Sequence, residues 1–498
     1  MRSLPRLTIE RLAEWLLFIL LFAMAVRVPL DTDTWWHLRS GEYMLEEGEI
    51  LTEDVFSYTR RGESWVNHSW GSQLVLYGAY RLTGGTEDPA GSGAIGLALF
   101  AAVLATAGML LVYRMCAGNV YSRMFVLVIG AATAAIFWSP RPQMFSFLFS
   151  AVVLYILYLY KYRGINRMWA IPALMVLWVN LHAGFAIGFI ILIAFGAGEI
   201  IGRLLDREAE YQLGWRQLRN VALATIGGIL ALTVNPYGPR MLLYPFETAG
   251  IQTLSLFIQE WQSPNFKMPG TWPFAIMLMA LIVLASRTQA RPAWSDLALA
   301  AGTAMLALWS ARNIAVFAVV ATPLLSHQLE AWLASRGWQI QPARDLSARM
   351  ITLNWVLLGV VSLGALAQVA TTLSSSSVQE AHEEYLPVEA AEYIERHRPP
   401  GPMFNDYNWG GYFIFVLEDY PVFVDGRTDL YGDDFLKDYT RAVVGAQKWQ
   451  EPLEEYAINL VVVRDESALA TLLREKPDQW RIAHEDDLAV VFERQEGP

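Results

Sequence analysis

From Leu12 to Ala370 the chain alternates long apolar runs with short polar turns, a pattern that places it in a bilayer rather than in water. A helix needs about 20 apolar residues to cross the hydrocarbon core. Runs of that order centre on residues 12–30, 94–113, 124–138, 143–160, 169–181, 183–201, 221–234, 272–285, 294–310, 313–325 and 351–370. The expectation is a polytopic α-helical membrane protein with about eleven transmembrane helices. Residues 1–370 make up the membrane domain, 371–378 a Ser-rich linker, and 379–498 a soluble α/β domain.

Composition supports the division. Hydrophobic residues make up 54% of the 498 and charged residues only 17%, against roughly 25% charged in soluble domains. The net charge of −11 is uneven. From Thr371 onward there are 26 acidic and 11 basic residues, hence −15, which leaves 22 acidic and 26 basic before it, hence +4. Neither part has the clustered basic face that nucleic acid requires. A single cysteine, Cys116, excludes an intramolecular disulfide framework. The first apolar run is long and lacks a small-residue cleavage site, so it reads as a retained helix and not as a signal peptide.

Basic residues set the orientation, because arginine and lysine accumulate on the cytoplasmic side. Arg2, Arg6 and Arg11 put the amino terminus inside. Alternation then sends Arg114, Arg123, Lys161, Arg163, Arg167, Arg203 to Arg219, Arg287, Arg291 and Arg336 to Arg349 to the cytoplasm. The acidic carboxy-terminal domain comes out on the other face of the inner (cell) membrane. The outer turns hold most of the ionisable groups at span ends, and ionisable groups at membrane depth are costly and mark pathways or sites. The chemistry is expected outside.

The first outer loop, residues 31–70, opens with Asp31-Thr-Asp33-Thr-Trp-Trp-His37. In an extended segment residues two apart point the same way, so both carboxylates can face one cavity. There they hold a divalent cation such as Mg²⁺ or Mn²⁺ through oxygen ligands, or one of them acts as a general base. The plain alternative is a solvated pair with Asp33 capping the following helix. Trp35 to Gly48 and Gln73 to Leu82 read as amphipathic interfacial helices, with the tryptophans at headgroup level. His37 and His68 are candidate substrate-binding groups, structural histidines being equally consistent with the pattern. Asn67-His-Ser69 matches a glycosylation acceptor, but so short a motif beside the membrane is weak.

Arg141, Arg240 and Arg312 stand at outer span ends, where a planar guanidinium can grip a lipid-linked phosphate through two oxygens. Headgroup anchoring is the simpler account of each one singly. His182 and Glu260 are further candidates on the same face. In the carboxy-terminal domain strands are expected at residues 402–405, 422–424, 460–463, 480–483 and 489–492. The stretches Phe404-Asn-Asp-Tyr-Asn-Trp-Gly-Gly411 and Val424-Asp-Gly-Arg-Thr-Asp-Leu-Tyr-Gly432 are placed as loops after strands, where ligands bind and turns form. No nucleotide fingerprint is present.

A first helix, an outer loop opening with Asp, interfacial helices, further spans and an outer soluble domain together resemble the GT-C glycosyltransferases. Asp31 to His37, Trp65-Val-Asn-His68, Asn405 to Gly411 and Asp425 to Tyr431 further resemble a large group of uncharacterised bacterial membrane proteins. The GT-C resemblance implies transfer of a sugar from a polyprenyl-phosphate donor to an envelope glycan, lipid or protein acceptor. It implies a first-loop aspartate as catalytic base, which maps onto Asp33 first and Asp31 second. It also implies basic residues on the donor phosphate, a role that falls to Arg141, Arg240 and Arg312. Related sequences often carry His-Glu-Trp where this chain has His68-Ser69-Trp70, so any acidic role at that position is missing here. The competing readings are a non-catalytic lipid or polysaccharide carrier and an envelope-assembly scaffold.

Overall fold

The computed structural model describes residues 6–85, 92–206, 211–253, 258–338 and 346–495. Arg2, Arg207 and Arg344, which enter the orientation argument, lie outside them. The membrane part comprises α1 (Ile9–Ala25), α2 (Asp33–Glu47), α3 (Trp70–Leu82), α4 (Ser92–Met115), α5 (Val120–Ala134), α6 (Gln143–Arg163) and α7 (Ala170–Leu181). It continues with α8 (Phe185–Leu205), α9 (Trp215–Ala231), α10 (Tyr244–Ala249), α11 (Trp272–Arg287), α12 (Trp294–Trp309), α13 (Ile314–Ser335) and α14 (Ala348–Thr372).

The protein is a polytopic α-helical membrane protein, but the expected span count needs correction. Among the described residues seven helices are long and apolar enough to cross a membrane: α4, α5, α6, α8, α11, α13 and α14. The other four apolar runs also fold as helices, of 17, 12, 17 and 16 residues for α1, α7, α9 and α12. At about 1.5 Å per residue these stop short of a core roughly 30 Å thick. Local chemistry explains the first of them. Thr8 caps α1 by accepting from the Arg11 amide at 3.2 Å. The helix ends at Ala25, four residues before Pro29, and the residue before a proline is pushed out of the α region.

Polar contacts join several of the spans. One is the Lys161 ammonium, donating to Glu199 at 2.5 Å and to Ser295 at 2.6 Å, which fastens α6, α8 and α12 together. Both members of the ion pair are almost fully buried, where a charge is tolerated only when it is paired.

The carboxy-terminal part runs through α15 (Ser375–Tyr385), α16 (Val388–His397), β1 (Met403–Asn405), α17 (Gly410–Val416), α18 (Thr428–Val443), α19 (Glu451–Glu455), β2 (Leu460–Arg464), α20 (Ala468–Arg474), β3 (Trp480–Glu485) and β4 (Ala489–Arg494). The sheet order is β1-β2-β4-β3, with β1 and β2 parallel and the other pairs antiparallel. Residues 422–424, expected as a strand, make only an isolated bridge between Val422 and Ser57. The Val422 amide donates to the Phe56 carbonyl at 3.1 Å, and the next one is taken by a side chain, Phe423 donating to Asn405 Oδ1 at 2.8 Å.

A second correction concerns α2. The tryptophans expected at headgroup level are buried, Trp35 at 3% and Trp36 at 5% exposure. Trp35 packs edge-on against His382 and Tyr412, so α2 lies between α3 and the carboxy-terminal domain. Asn67 is fully buried and exchanges two hydrogen bonds with Gln73, at 2.7 and 2.8 Å, which removes it as a glycan acceptor.

The first outer loop is stapled to the carboxy-terminal domain by a buried ionic knot. Arg427 pairs with Asp425 at 2.6 Å and with Asp54 at 2.5 Å, all three side chains being inaccessible to solvent. Tyr431 donates to Asp425 at 2.6 Å, and Ser57 donates to Asp54 through its amide and its hydroxyl. Removing one partner of such a knot strands buried charge, at a cost of about 3–5 kcal/mol. Arg427→Ala is therefore expected to lower the denaturation midpoint of the purified protein by that equivalent. An unchanged midpoint would show the knot to be dispensable.

Candidate active site

The acidic segment and the outer loops between spans meet at the amino-terminal end of α2. Thr34 donates to the Pro140 carbonyl at 3.3 Å, which seats the Ser139-Pro-Arg-Pro142 turn against the start of α2. Prolines on both sides fix the backbone there and hold Arg141 towards the aspartates. Its guanidinium lies 3.0 Å from Asp31 Oδ2, 3.1 Å from Asp33 Oδ2 and 3.5 Å from Glu260 Oε2. Glu260 arrives on the short turn Gln259–Trp261, which is tied to the next turn by Ala311 donating to Gln262 O at 2.8 Å and Ser310 to Glu260 O at 3.0 Å. That second turn carries Arg312, whose guanidinium stacks 4.1 Å over the Trp261 ring. Among the described residues Arg312 forms no salt bridge, whereas Arg141 forms three.

Two contacts aim the Asp33 carboxylate. Its Oδ1 accepts from Trp36 Nε1 at 3.2 Å, and its amide donates to Asp31 Oδ1 at 3.1 Å. Its side chain remains 25% exposed, so it is reachable. Burial pushes the Asp33 carboxyl up to about 6; Arg141 opposes the shift, and the negative charges of Asp31 and Glu260 add to it. Burial acts the same way on Glu260, but Arg141 and Arg312 together hold it below the usual carboxylate range. Against the cost of burial, Asp31, Glu260 and Asp33 keep Arg141 firmly charged. Asp33 is thus shifted to a value where it can take and return a proton near neutrality.

The carboxy-terminal domain closes over this cluster with glycines. A Cβ on Gly426 would collide with Asp33 Oδ1, and one on Gly411 would collide with the Thr32 carbonyl. A Cβ on Gly410 would strike the Val424 carbonyl. The Gly-rich stretches expected as ligand loops are therefore docking surfaces, and the absence of side chains lets the backbone reach the acidic segment.

The remaining sequence candidates divide. His68 and His182 lie on the edge of the cluster with ring centroids 6.2 Å apart. His37 is buried against Trp36, with Nδ1 3.3 Å from Gln73 Nε2. Arg240 is exposed on the turn Gly238–Leu242 and, among the described residues, joins none of the ion pairs. Burial lowers all three imidazoles below their usual range. Two residues were not singled out from the sequence. Tyr244 bonds His68 Nδ1 at 2.6 Å and donates to Asp429 Oδ2 at 3.0 Å. Asp429 belongs to the Asp425–Tyr431 motif, which was the available signal; nothing in the chain marked Tyr244.

For a divalent cation the donor chemistry of Asp31, Asp33 and Glu260 is suitable, all oxygen. In this arrangement the cation among them is the Arg141 guanidinium, 3.0 to 3.5 Å from all three carboxylates. Among the described residues the group whose ligand atoms converge within 4.8 Å is instead Glu389, His484 and Asp486, on the carboxy-terminal domain.

No protein-family model matches the chain, and no curated protein sequence matches it. Solved structures do. The chain is similar to the Archaeoglobus fulgidus oligosaccharyltransferase in the apo form, with TM-score 0.57 and 14% identity over 91% of this chain and 69% of that one. It is similar to the archaeal oligosaccharyltransferase AglB from Archaeoglobus fulgidus in complex with an inhibitory peptide and a dolichol-phosphate, with TM-score 0.55, 13% identity and the same coverage. ArnT from Cupriavidus metallidurans in the apo state matches with TM-score 0.51 and 15% identity over 95% of both chains. At such identities the fold is what is shared, and it is the GT-C fold. The likeness to the bacterial group with the Asp31–His37 motif rests on sequence alone.

The charges around Asp33 make a prediction with a sign. Glu260→Gln removes a negative neighbour and should lower the Asp33 titration from about 6, while Arg141→Gln removes its positive one and should raise it. Infrared difference titration, with Asp33→Asn as blank, reads both. Shifts in the opposite directions, or none, would show that these neighbours do not set its charge.

Proposed function

We propose that the chain is a membrane glycosyltransferase of GT-C type, moving a sugar from a polyprenyl-phosphate donor to an envelope glycan, lipid or protein acceptor on the extracytoplasmic face. The amino terminus is cytoplasmic and the carboxy-terminal domain is outside. The observation that carries the reading is the reachable Asp33 carboxylate, titrating near 6, beside Arg141 and Arg312 in a GT-C fold. Supporting it, one structure of that fold is a complex with a dolichol-phosphate.

Asp33 Oδ2 takes the proton of the acceptor hydroxyl. The oxygen attacks the anomeric carbon from the side opposite the phosphate, the bond to the lipid phosphate breaks, and the configuration inverts. The bond electrons leave on the phosphate, whose growing negative charge needs a fixed positive partner. Arg312, free of salt bridges among the described residues and presented flat by Trp261, is the cation with capacity for it. Arg141 serves mainly to hold the carboxylates in place, Asp31 included. A lipid substrate enters from the bilayer, so membrane lipids are its route.

A deletion strain complemented with wild type or Asp33→Asn tests this by mass spectrometry of envelope glycans and glycolipids. The deletion should lose one sugar from a glycan, wild type should restore it, and Asp33→Asn should fall short by roughly 10²–10⁴-fold in rate. Equal restoration by both would favour the carrier or scaffold reading. Metal dependence separates on a second assay. With Arg141 as the cation among the carboxylates, exhaustive EDTA treatment should leave the transfer rate unchanged within about two-fold. A loss restored by Mn²⁺ or Mg²⁺ would place an ion on Asp31 and Asp33.

A further inference from the structure

The transfer just described leaves two half-buried histidines at the edge of the site without a task. His68 ends the first outer loop and His182 sits in the turn between α7 and α8. Their ring planes meet at 60°. Neither ring is free to choose which nitrogen carries its proton.

Asp429 Oδ2 accepts from Trp65 Nε1 at 3.2 Å and from the Tyr244 hydroxyl at 3.0 Å. A carboxylate has no proton to give, so the single hydroxyl proton of Tyr244 is committed to Asp429. The same hydroxyl oxygen lies 2.6 Å from His68 Nδ1. Nδ1 must therefore carry the imidazole proton and donate it, which makes Nε2 the acceptor nitrogen of His68. At His182 the logic runs the other way. The backbone amide of Gly184 can only donate, and it reaches His182 Nδ1 at 3.1 Å. Ser146 Oγ, 2.6 Å from the same nitrogen, accepts from Trp178 Nε1 at 2.7 Å and sends its own proton to Nδ1. Nδ1 of His182 is thus an acceptor, and its Nε2 carries the proton. Burial keeps both rings neutral near pH 7, so each has one donor and one acceptor.

We propose that His68 Nε2 and His182 Nε2–H form a matched acceptor and donor for one substrate hydroxyl, with Tyr244 and Asp429 as positioning residues that fix the His68 tautomer. A hydroxyl is the group that can donate to one ring and accept from the other at once. Two rings of the same tautomer would leave one of its bonds unmade. A site built this way rejects a deoxy analogue, because its buried polar atoms are then left unpaired. The substrate class, a sugar carried on a polyprenyl phosphate, rests on the transfer reading; the tautomers do not.

The test is ¹⁵N NMR of the histidines in the full-length protein in nanodiscs. The chain has only 7 histidines, and His68→Gln and His182→Gln assign the two by loss of signal. The expected spectrum shows His68 protonated at Nδ1 and His182 protonated at Nε2. Tyr244→Phe keeps the ring and its packing, and should return His68 to the ordinary Nε2-protonated form while leaving His182 unchanged. A wild-type His68 protonated at Nε2, or one indifferent to Tyr244→Phe, overturns the proposal. Citronellyl phosphate esters of glucose, mannose and galactose are then added in turn. Movement of both Nε2 resonances with at least one ester supports hydroxyl recognition. Resonances unmoved by all three, in a protein that restores the envelope sugar in cells, overturn it. The tautomer arm needs no substrate, so its outcome is independent of whether the transfer reading stands.

Discussion

Three carboxylates converge on one guanidinium, and the site follows from that meeting. Asp31 and Asp33 come from the start of α2, Glu260 from a turn more than two hundred residues later, and Arg141 from between α5 and α6. Without Arg141, like charges at this spacing would repel and take up protons. With it they remain together, Glu260 is held ionised, and Asp33 is left near the pH at which it can both take and give a proton. The arginine spends its charge on the carboxylates. In the proposed transfer the phosphate role then passes to Arg312, which the fold keeps out of any salt bridge among the described residues.

The carboxy-terminal domain is part of this arrangement rather than an appendage. Gly411 and Gly426 let its backbone rest on Thr32 and Asp33, and Arg427 locks the first outer loop against it through Asp54. Asp429, one turn further on, reaches Tyr244 and through it His68. A single stretch from Asp425 to Asp429 therefore both anchors the domain and touches the site. This accounts physically for a motif dense in Gly, Asp and aromatics that carries no nucleotide fingerprint.

Much of this was legible in the chain. The apolar runs marked the membrane part, and the Asp31–His37 segment marked the candidate site, because charge at a membrane surface is costly and its cost is visible in sequence. The grouping of Arg141, Glu260 and Arg312 with that segment was legible only as a shared side of the membrane. Span number was less so. A hydropathy run does not reveal where Pro29 ends α1, or that the helix over residues 170–181 has only 12 residues. Trp35 and Trp36 were misplaced because an amphipathic helix reads alike whether its apolar face meets lipid or protein. Tyr244 had no sequence signal, since one tyrosine in an apolar chain says nothing until the fold sets it between His68 and Asp429.

The account stands on the claim that the carboxy-terminal domain sets the position of the Asp33 carboxylate. Gly426→Ala tests this directly, because the added methyl meets Asp33 Oδ1 and not the buried side chains of the knot at Arg427. Sugar transfer by the purified variant in proteoliposomes is compared with its thermal unfolding. The account predicts a melting temperature within a few degrees of wild type and transfer reduced by roughly 100-fold, the scale of a displaced catalytic group. Wild-type transfer from a normally folded Gly426→Ala protein would contradict it.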